Sequence, residues 1–198
     1  MTRPIAILNA GHGYKGRDAL YDSGAVHEGY REAPLVRVVG DLLEPMLTAQ
    51  GIEVLRVDRG PYSLRDAVAI RAARDTDAQA LHVHLHINSS DPPGDYSAVF
   101  YDHRSTMGRL AADAIVPELG LLAGVSSCIV RKAEPTGWTS RAYRVLERTY
   151  DGPRNICGVL IESHFINHPR HQALNEAQGL KRIARRLSAG IARFLVPE

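Results

Sequence analysis

The apolar positions of this chain fall into short continuous runs separated by helical stripes. Ile5 to Leu8 is a continuous run that stops at Asn9-Ala10-Gly11, the form of a strand buried on both faces. Leu35, Val38, Val39, Leu42, Leu43, Met46 and Leu47 then recur at i, i+3, i+4, i+7, i+8, i+11 and i+12, an apolar stripe along one helix. Pro45 marks a kink in its last turn, and Gly51 marks its stop. Ile52 to Val57 alternates as a second strand, and Ser63 is placed to cap a second helix through about Arg74. Ala80–Ile87 reads as a third strand and Ala98–Tyr101 as a fourth. Met107–Leu119 has helical character, with Leu110, Ala111, Ala114 and Ile115 on one side. Tyr143–Leu146 and Gly158–Ile161 are further apolar runs, the second strongly strand-like. Leu180, Ile183, Ala184, Leu187, Ile191 and Phe194 form the stripe of a closing amphipathic helix, with Asn175 as its N-cap.

Two stretches resist this reading. Residues 10–31 are rich in Gly, Asp, His and Tyr without any period, and are expected to form a long loop of the functional kind. Residues 121–140 hold the sole tryptophan, Trp138, and show no clear element. Strands alternating with helices otherwise predict α/β architecture with a twisted, mostly parallel sheet. At 198 residues the length matches a single domain spanning 1–198, with no repeat, linker or separate binding module.

Composition narrows the class. Apolar residues make up 44% and charged residues 23%, which is ordinary for a globular chain. The formal net charge of +2 gives no basis for nucleic-acid binding. No stretch approaches the ~20 apolar residues of a membrane span. The N-terminal apolar run of four residues is too short for a signal-peptide core. Cys128 and Cys157 belong to no close pair, so they are expected to be separate thiols.

The chemistry gathers at strand ends. The first strand runs into Asn9-Ala10-Gly11-His12-Gly13, the third into His84-Leu85-His86-Ile87-Asn88, and a late one into Ile161-Glu162-Ser163-His164. Ligands of open α/β sheets bind beyond the carboxyl ends of the strands, so His12, His86 and Glu162 can meet at one rim. Glu32, just before the first long helix, can reach the same rim; Glu28 is available for the same role. Two histidines and a carboxylate suit a catalytic zinc site with one open position, and a further carboxylate can serve as base.

The order Gly11-His12-Gly13, Glu32, Leu85-His86-Ile87-Asn88 and Leu160-Ile161-Glu162-x-x-Phe165-Ile166-Asn167 resembles the zinc-dependent N-acetylmuramoyl-L-alanine amidases of the amidase-3 type. The resemblance runs from about Pro4 to Phe194. It implies a sheet of about six strands flanked by helices. It further implies one zinc ion held by His12, Glu32 and His86, and Glu162 as the catalytic glutamate. The implied substrate is peptidoglycan, cut between N-acetylmuramic acid and L-alanine, with no nucleic-acid or membrane-inserted partner and a monomeric enzyme. Asn88 matches the family motif, while His84 and His164 stand where the family commonly has Ser and Gly; these three are candidates for substrate or supporting roles. The missing export signal gives the expectation of an endolysin-like enzyme, made in the cytoplasm and acting on the wall after release.

Three other readings use the same residues. One is a zinc amidohydrolase of small N-acyl amino acids, and another is a catalytically silent cell-wall-binding module. The third, a non-haem iron oxygenase, also uses two histidines and a carboxylate, but the spacing and the fourth glutamate disfavour it. On the same strand as His86, His82 is read as structural. Tyr14 and Trp138 are read as ordinary packing or surface aromatics, with groove lining as the alternative. Arg182, Arg185, Arg186 and Arg193 are read as the solvated face of the last helix.

Overall fold

The computed structural model describes residues 2–14, 21–60 and 64–197. The chain runs β1 (Ile5–Ala10), β2 (Gly13–Tyr14), β3 (Tyr21–Asp22), β4 (Val26–His27), β5 (Tyr30–Arg31), α1 (Glu32–Thr48), β6 (Glu53–Arg56) and α2 (Arg65–Arg74). It continues with β7 (Ala80–Asn88), β8 (Ser97–Asp102), α3 (Thr106–Leu119), β9 (Cys128–Ala133), α4 (Ser140–Tyr150) and β10 (Ile156–Phe165). A 3-10 turn at Pro169–Leu174 leads into α5 (Ala177–Leu195). Six strands form one sheet in the order β6-β1-β7-β10-β8-β9. It is parallel apart from the antiparallel pairing of β8 with β10.

The alternation of side chains sorts each central strand onto two faces. Ala6, Leu8, Leu81, Val83, Val159 and Ile161 share the larger core with Val36, Leu43, Ile115, Ile183 and Leu187, so α1, α3 and α5 cover that face. Ile5, Ile7 and Ala80 pack with Ala69 and Ala73 of α2, and Leu160 and Phe100 pack with Ala142 and Leu146 of α4. Both faces of the central strands are therefore buried, which is why their sequences read as continuous apolar runs. Each fully buried Leu or Ile contributes about 1.5–3 kcal/mol of transfer free energy. No described helix is long and apolar enough to cross a membrane.

Several expectations need correction. The long loop of 10–31 contains two short hairpins, β2–β3 and β4–β5. The unassigned stretch 121–140 contains the edge strand β9, whose half-buried and exposed residues blur any period. The run Tyr143–Leu146 lies inside α4. Helix α1 continues through Pro45 to Thr48, and Gly51 follows it with φ +77. Its buried stripe includes Val36 in place of Val38, which is exposed. Leu110 of α3 is also exposed, while Ala111, Ala112 and Ile115 are buried. Asn175 does not cap α5: Glu176 holds that position, and the Asn175 side chain binds His164 and the Ile166 carbonyl. Ser63 lies outside the described residues. The two cysteines are free, and burial pushes both thiols up to about 12.

Candidate metal centre

The face covered by α2 and α4 carries a polar row. Asn9 falls in step with Ile5 and Ile7, His82, His84 and His86 with Ala80, and Glu162 with Leu160. Sheet register then aligns them: Asn9 lies opposite His84, and Glu162 lies opposite His86. His12 follows β1 with a φ of +63, and Glu32 begins α1. Residues distant in sequence thereby meet at the carboxyl edge of the sheet.

His12 Nε2 lies 3.1 Å from Glu32 Oε1, and His86 Nδ1 lies 3.0 Å from the same oxygen. The Glu32 carboxylate also accepts from the backbone N–H of Ala25 at 2.9 Å and of Ile87 at 3.0 Å. Its place in the first turn of α1 adds the favourable helix dipole. Burial works against its charged form, but the bonds to His12 and His86 outweigh it and hold the carboxyl far below its ordinary value. For His12, burial opposes charge, yet the bonds to Glu32 and Asp22 win and raise its pKa. Asp22 Oδ2 stands 3.1 Å from His12 Nδ1, so a carboxylate orients the ring from behind, as around metal-ligating histidines.

Three donor atoms from His12, Glu32 and His86 lie within 4.8 Å of one another. A tetrahedral ion at ~2.0–2.1 Å from N and O ligands holds them about 3.3 Å apart, close to the 3.0 and 3.1 Å separations from Glu32 Oε1. Glycines make room for this set. A Cβ on Gly11 would fall 2.3 Å from the His86 ring, and one on Gly24 would fall 2.6 Å from Glu32 Oε2. Gly24 also has φ +65, which suits glycine. Gly11→Ala is expected to push the His86 ring aside and lower turnover about 10²-fold, the cost of an ångström-scale misplacement. Wild-type turnover and metal affinity in that variant would show that the ring tolerates displacement.

Glu162 lines the same cleft, whose volume is about 640 Å³. Its Oε2 is shut off from solvent and has no hydrogen-bond partner among the described residues. Burial, then the negative charge of Glu32, pushes its pKa well above the ordinary carboxylate value. Asn88 also lines the cleft, with Oδ1 accepting from the Ser89 N–H at 2.8 Å. Tyr96, Phe100, Trp138 and Phe165 form an aromatic wall, and Trp138 is 66% exposed. Glu28 is not part of the site; its Oε2 accepts from Gln172. The side chain of Tyr14 lies outside the described residues.

The remaining histidines are placed differently. His82 is fully buried, with Nδ1 3.1 Å from the Thr149 hydroxyl. His84 is buried beside Asn9 at 3.1 Å and lines a second cavity behind His86. His164 does not line the cleft: it is fully buried, bound at one nitrogen by Ser163 and at the other by Asn175. Asp95 and His171 pair at 3.0 Å away from the cleft, with Arg170 on the same carboxylate. Sequence reasoning missed Asp22 and Gly24. The Asp-Ser-Gly turn at 22–24 was the available signal, since Asp binds its own backbone two residues on and the Gly24 N–H donates to Asp22 Oδ1.

The α/β sheet brings imidazoles and carboxylates together at its carboxyl rim, a donor set that suits metal-assisted hydrolysis. The profile of the amidase-3 family, described as N-acetylmuramoyl-L-alanine amidase, matches residues 6–193, and the chain belongs to that family of enzymes. Solved structures share the fold. N-acetylmuramoyl-L-alanine amidase AmiC2 of Nostoc punctiforme superposes with a TM-score of 0.73 at 16% identity, covering 97% of each chain. An N-acetylmuramoyl-L-alanine amidase from Clostridium difficile 630 gives 0.74 at 19% identity, covering 99% of this chain and 98% of that one. The catalytic domain of the CD27L endolysin, which targets Clostridia difficile, gives 0.69 at 18% identity, covering 96% and 98%. Comparison with curated protein sequences finds no match.

Proposed function

We propose that this protein hydrolyses the amide between the lactyl group of N-acetylmuramic acid and L-alanine in peptidoglycan, using one zinc ion held by His12, Glu32 and His86. The observation that carries this reading is the unpartnered, buried carboxylate oxygen of Glu162 in the same cleft as the three donors. When bound, zinc supplies Lewis acidity to the scissile carbonyl and acidifies water to a pKa of about 7. Glu162 takes a proton from the attacking water at Oε2 and passes it to the nitrogen of the departing L-alanine. Its elevated pKa suits both halves of that role, because a group that binds a proton readily also holds it until the amine leaves. Asp22 keeps His12 in one orientation, and the Ile87 and Ala25 N–H groups keep Glu32 in place. Family membership and the endolysin domain among the structural neighbours support action on the cell wall.

The test is mass spectrometry of the products released from purified peptidoglycan, with and without a chelator. The expected result is free stem peptides beginning with L-alanine, absent under chelation and restored by zinc. Hydrolysis of soluble N-acyl amino acids with no release from any wall preparation would reassign the substrate. Binding to the wall without product would point to a silent module.

A further inference from the structure

Behind His86 lies a second cavity of about 350 Å³ between α2 and α4, which shares His86, Arg141 and Val145 as walls with the first cleft. Its charge is one-sided. Arg65, Arg141, Arg144 and Arg148 line it against a single carboxylate, Asp66. Arg141, Arg144 and Arg148 fall on one face of α4 at i, i+3 and i+7. Arg148 stands 3.8 Å from Asp66. Among the described residues Arg141 and Arg144 have no acidic partner.

A buried, unpartnered ring nitrogen stands beside the same space. Arg65 Nη1 donates to Asn9 Oδ1 at 3.2 Å, which turns the Asn9 amide nitrogen towards His84 Nδ1 at 3.1 Å. His84 Nδ1 therefore accepts, and the proton of the neutral ring sits on Nε2. That Nε2 is buried with no partner in the protein. Buried donors left without a partner are rare and call for an explanation.

A metal does not provide it. Asp66, His82 and His84 offer three atoms within 4.8 Å. A ligating histidine, however, points its lone pair at the ion and donates its other N–H. His84 is held the opposite way round, and the arginines repel a cation.

We propose that this cavity is the subsite for a free carboxylate of the substrate's peptide, with Arg144 and Arg148 supplying the charge beside the buried His84 ring. The proposal rests on the amidase reading above. In that substrate the lactyl carboxyl is consumed by the scissile amide. Free carboxylates therefore lie on the peptide side, at its C-terminus and acidic side chains. The subsite places the peptide on the His84 side of the cleft and selects acidic stems over amidated ones.

The test uses two muramoyl peptides that differ only in whether the peptide carboxylates are free or amidated. Wild-type protein is expected to prefer the free acid. Arg144→Gln and Arg148→Gln should each lower kcat/KM on the acid about tenfold more than on the amide, mainly through KM, as loss of a charge-assisted hydrogen bond does. Arg185→Gln, the same charge change on exposed α5, should keep the ratio. Turnover with an unchanged ratio in the α4 variants overturns the subsite and leaves the amidase reading intact. Independently of turnover, alanyl-glutamate and its diamide are titrated into the whole protein by NMR. Arginine-dependent binding of the acid by a protein that cleaves neither muramoyl peptide supports the subsite and overturns the amidase reading. Equal binding of acid and diamide overturns the subsite. Tighter, arginine-dependent binding of glycerol phosphate overturns the carboxylate assignment in favour of a wall-polymer phosphate.

Discussion

Glu162→Gln is expected to lower turnover on peptidoglycan by about 10³-fold, within the range that a positioned general acid–base contributes, while zinc content stays at the wild-type level. The substitution keeps the shape of the side chain and removes only its ability to carry a proton between water and amine. Because burial and the charge of Glu32 already work against the charged form of Glu162, a neutral amide there disturbs the fold little. His12, Glu32 and His86 are untouched, so metal binding separates from chemistry in one variant. Zinc content is read by elemental analysis and turnover by product release at saturating substrate. Turnover near the wild-type value would falsify the base assignment. Loss of zinc with the activity would instead make Glu162 part of the metal set.

Much of the fold was legible because both faces of the central strands are buried. Ile5–Leu8 and Gly158–Ile161 read as continuous apolar interior runs, Ala80–Ile87 alternates apolar residues with three histidines, and α5 carries its full stripe. What escaped has physical reasons. Strand β9 lies at the sheet edge, and Arg131 and Lys132 face solvent there, so alternation is lost. Helix α4 carries arginines along one side and few large apolar residues. It is anchored by Ala142 and Leu146 against the sheet, which leaves only a short apolar run visible in sequence.

The site was legible wherever a strand end supplied the residue. His12, His86 and Glu162 could be placed on one rim by topology alone, because parallel strands bring their carboxyl ends together. Glu32 required more, since Glu28 offered the same chemistry four residues earlier. Only the hairpin β4–β5 decides between them: it turns Glu28 outward towards Gln172 and brings Glu32 under the Ala25 N–H. Asp22 was invisible because its role depends on a loop contact 3.1 Å from His12 Nδ1 that no periodicity encodes. His84 was noticed only as a departure from the family pattern. Its meaning depends on the amide orientation of Asn9, which Arg65 sets from the start of α2.

Glu32→Gln is expected to cost both metal and stability. Four donors converge on this carboxylate: the Ala25 and Ile87 N–H groups and the rings of His12 and His86. A glutamine offers one acceptor oxygen and turns an NH₂ group towards a donor, leaving buried groups unpaired. Removing one partner from such a buried charged set costs about 3–5 kcal/mol. For a domain of this size that lowers Tm by about 10 °C. Measured under chelation, the loss reports the protein's own network; measured with zinc, it adds the lost ligand. The pH dependence gives an internal check. The folded-state pKa of Glu32 is depressed from its ordinary value of 4.5, so its stabilisation is present above that value and disappears as pH falls through the lower folded-state pKa. The gap in Tm between wild type and variant, both metal-free, should therefore be full near neutral pH and narrow on acidification below about 4.5. A gap that stays constant down to the lowest pH at which both fold would mean that the carboxylate's charge contributes nothing to holding the rim together, and the destabilisation would then have to come from the shape of the glutamine alone.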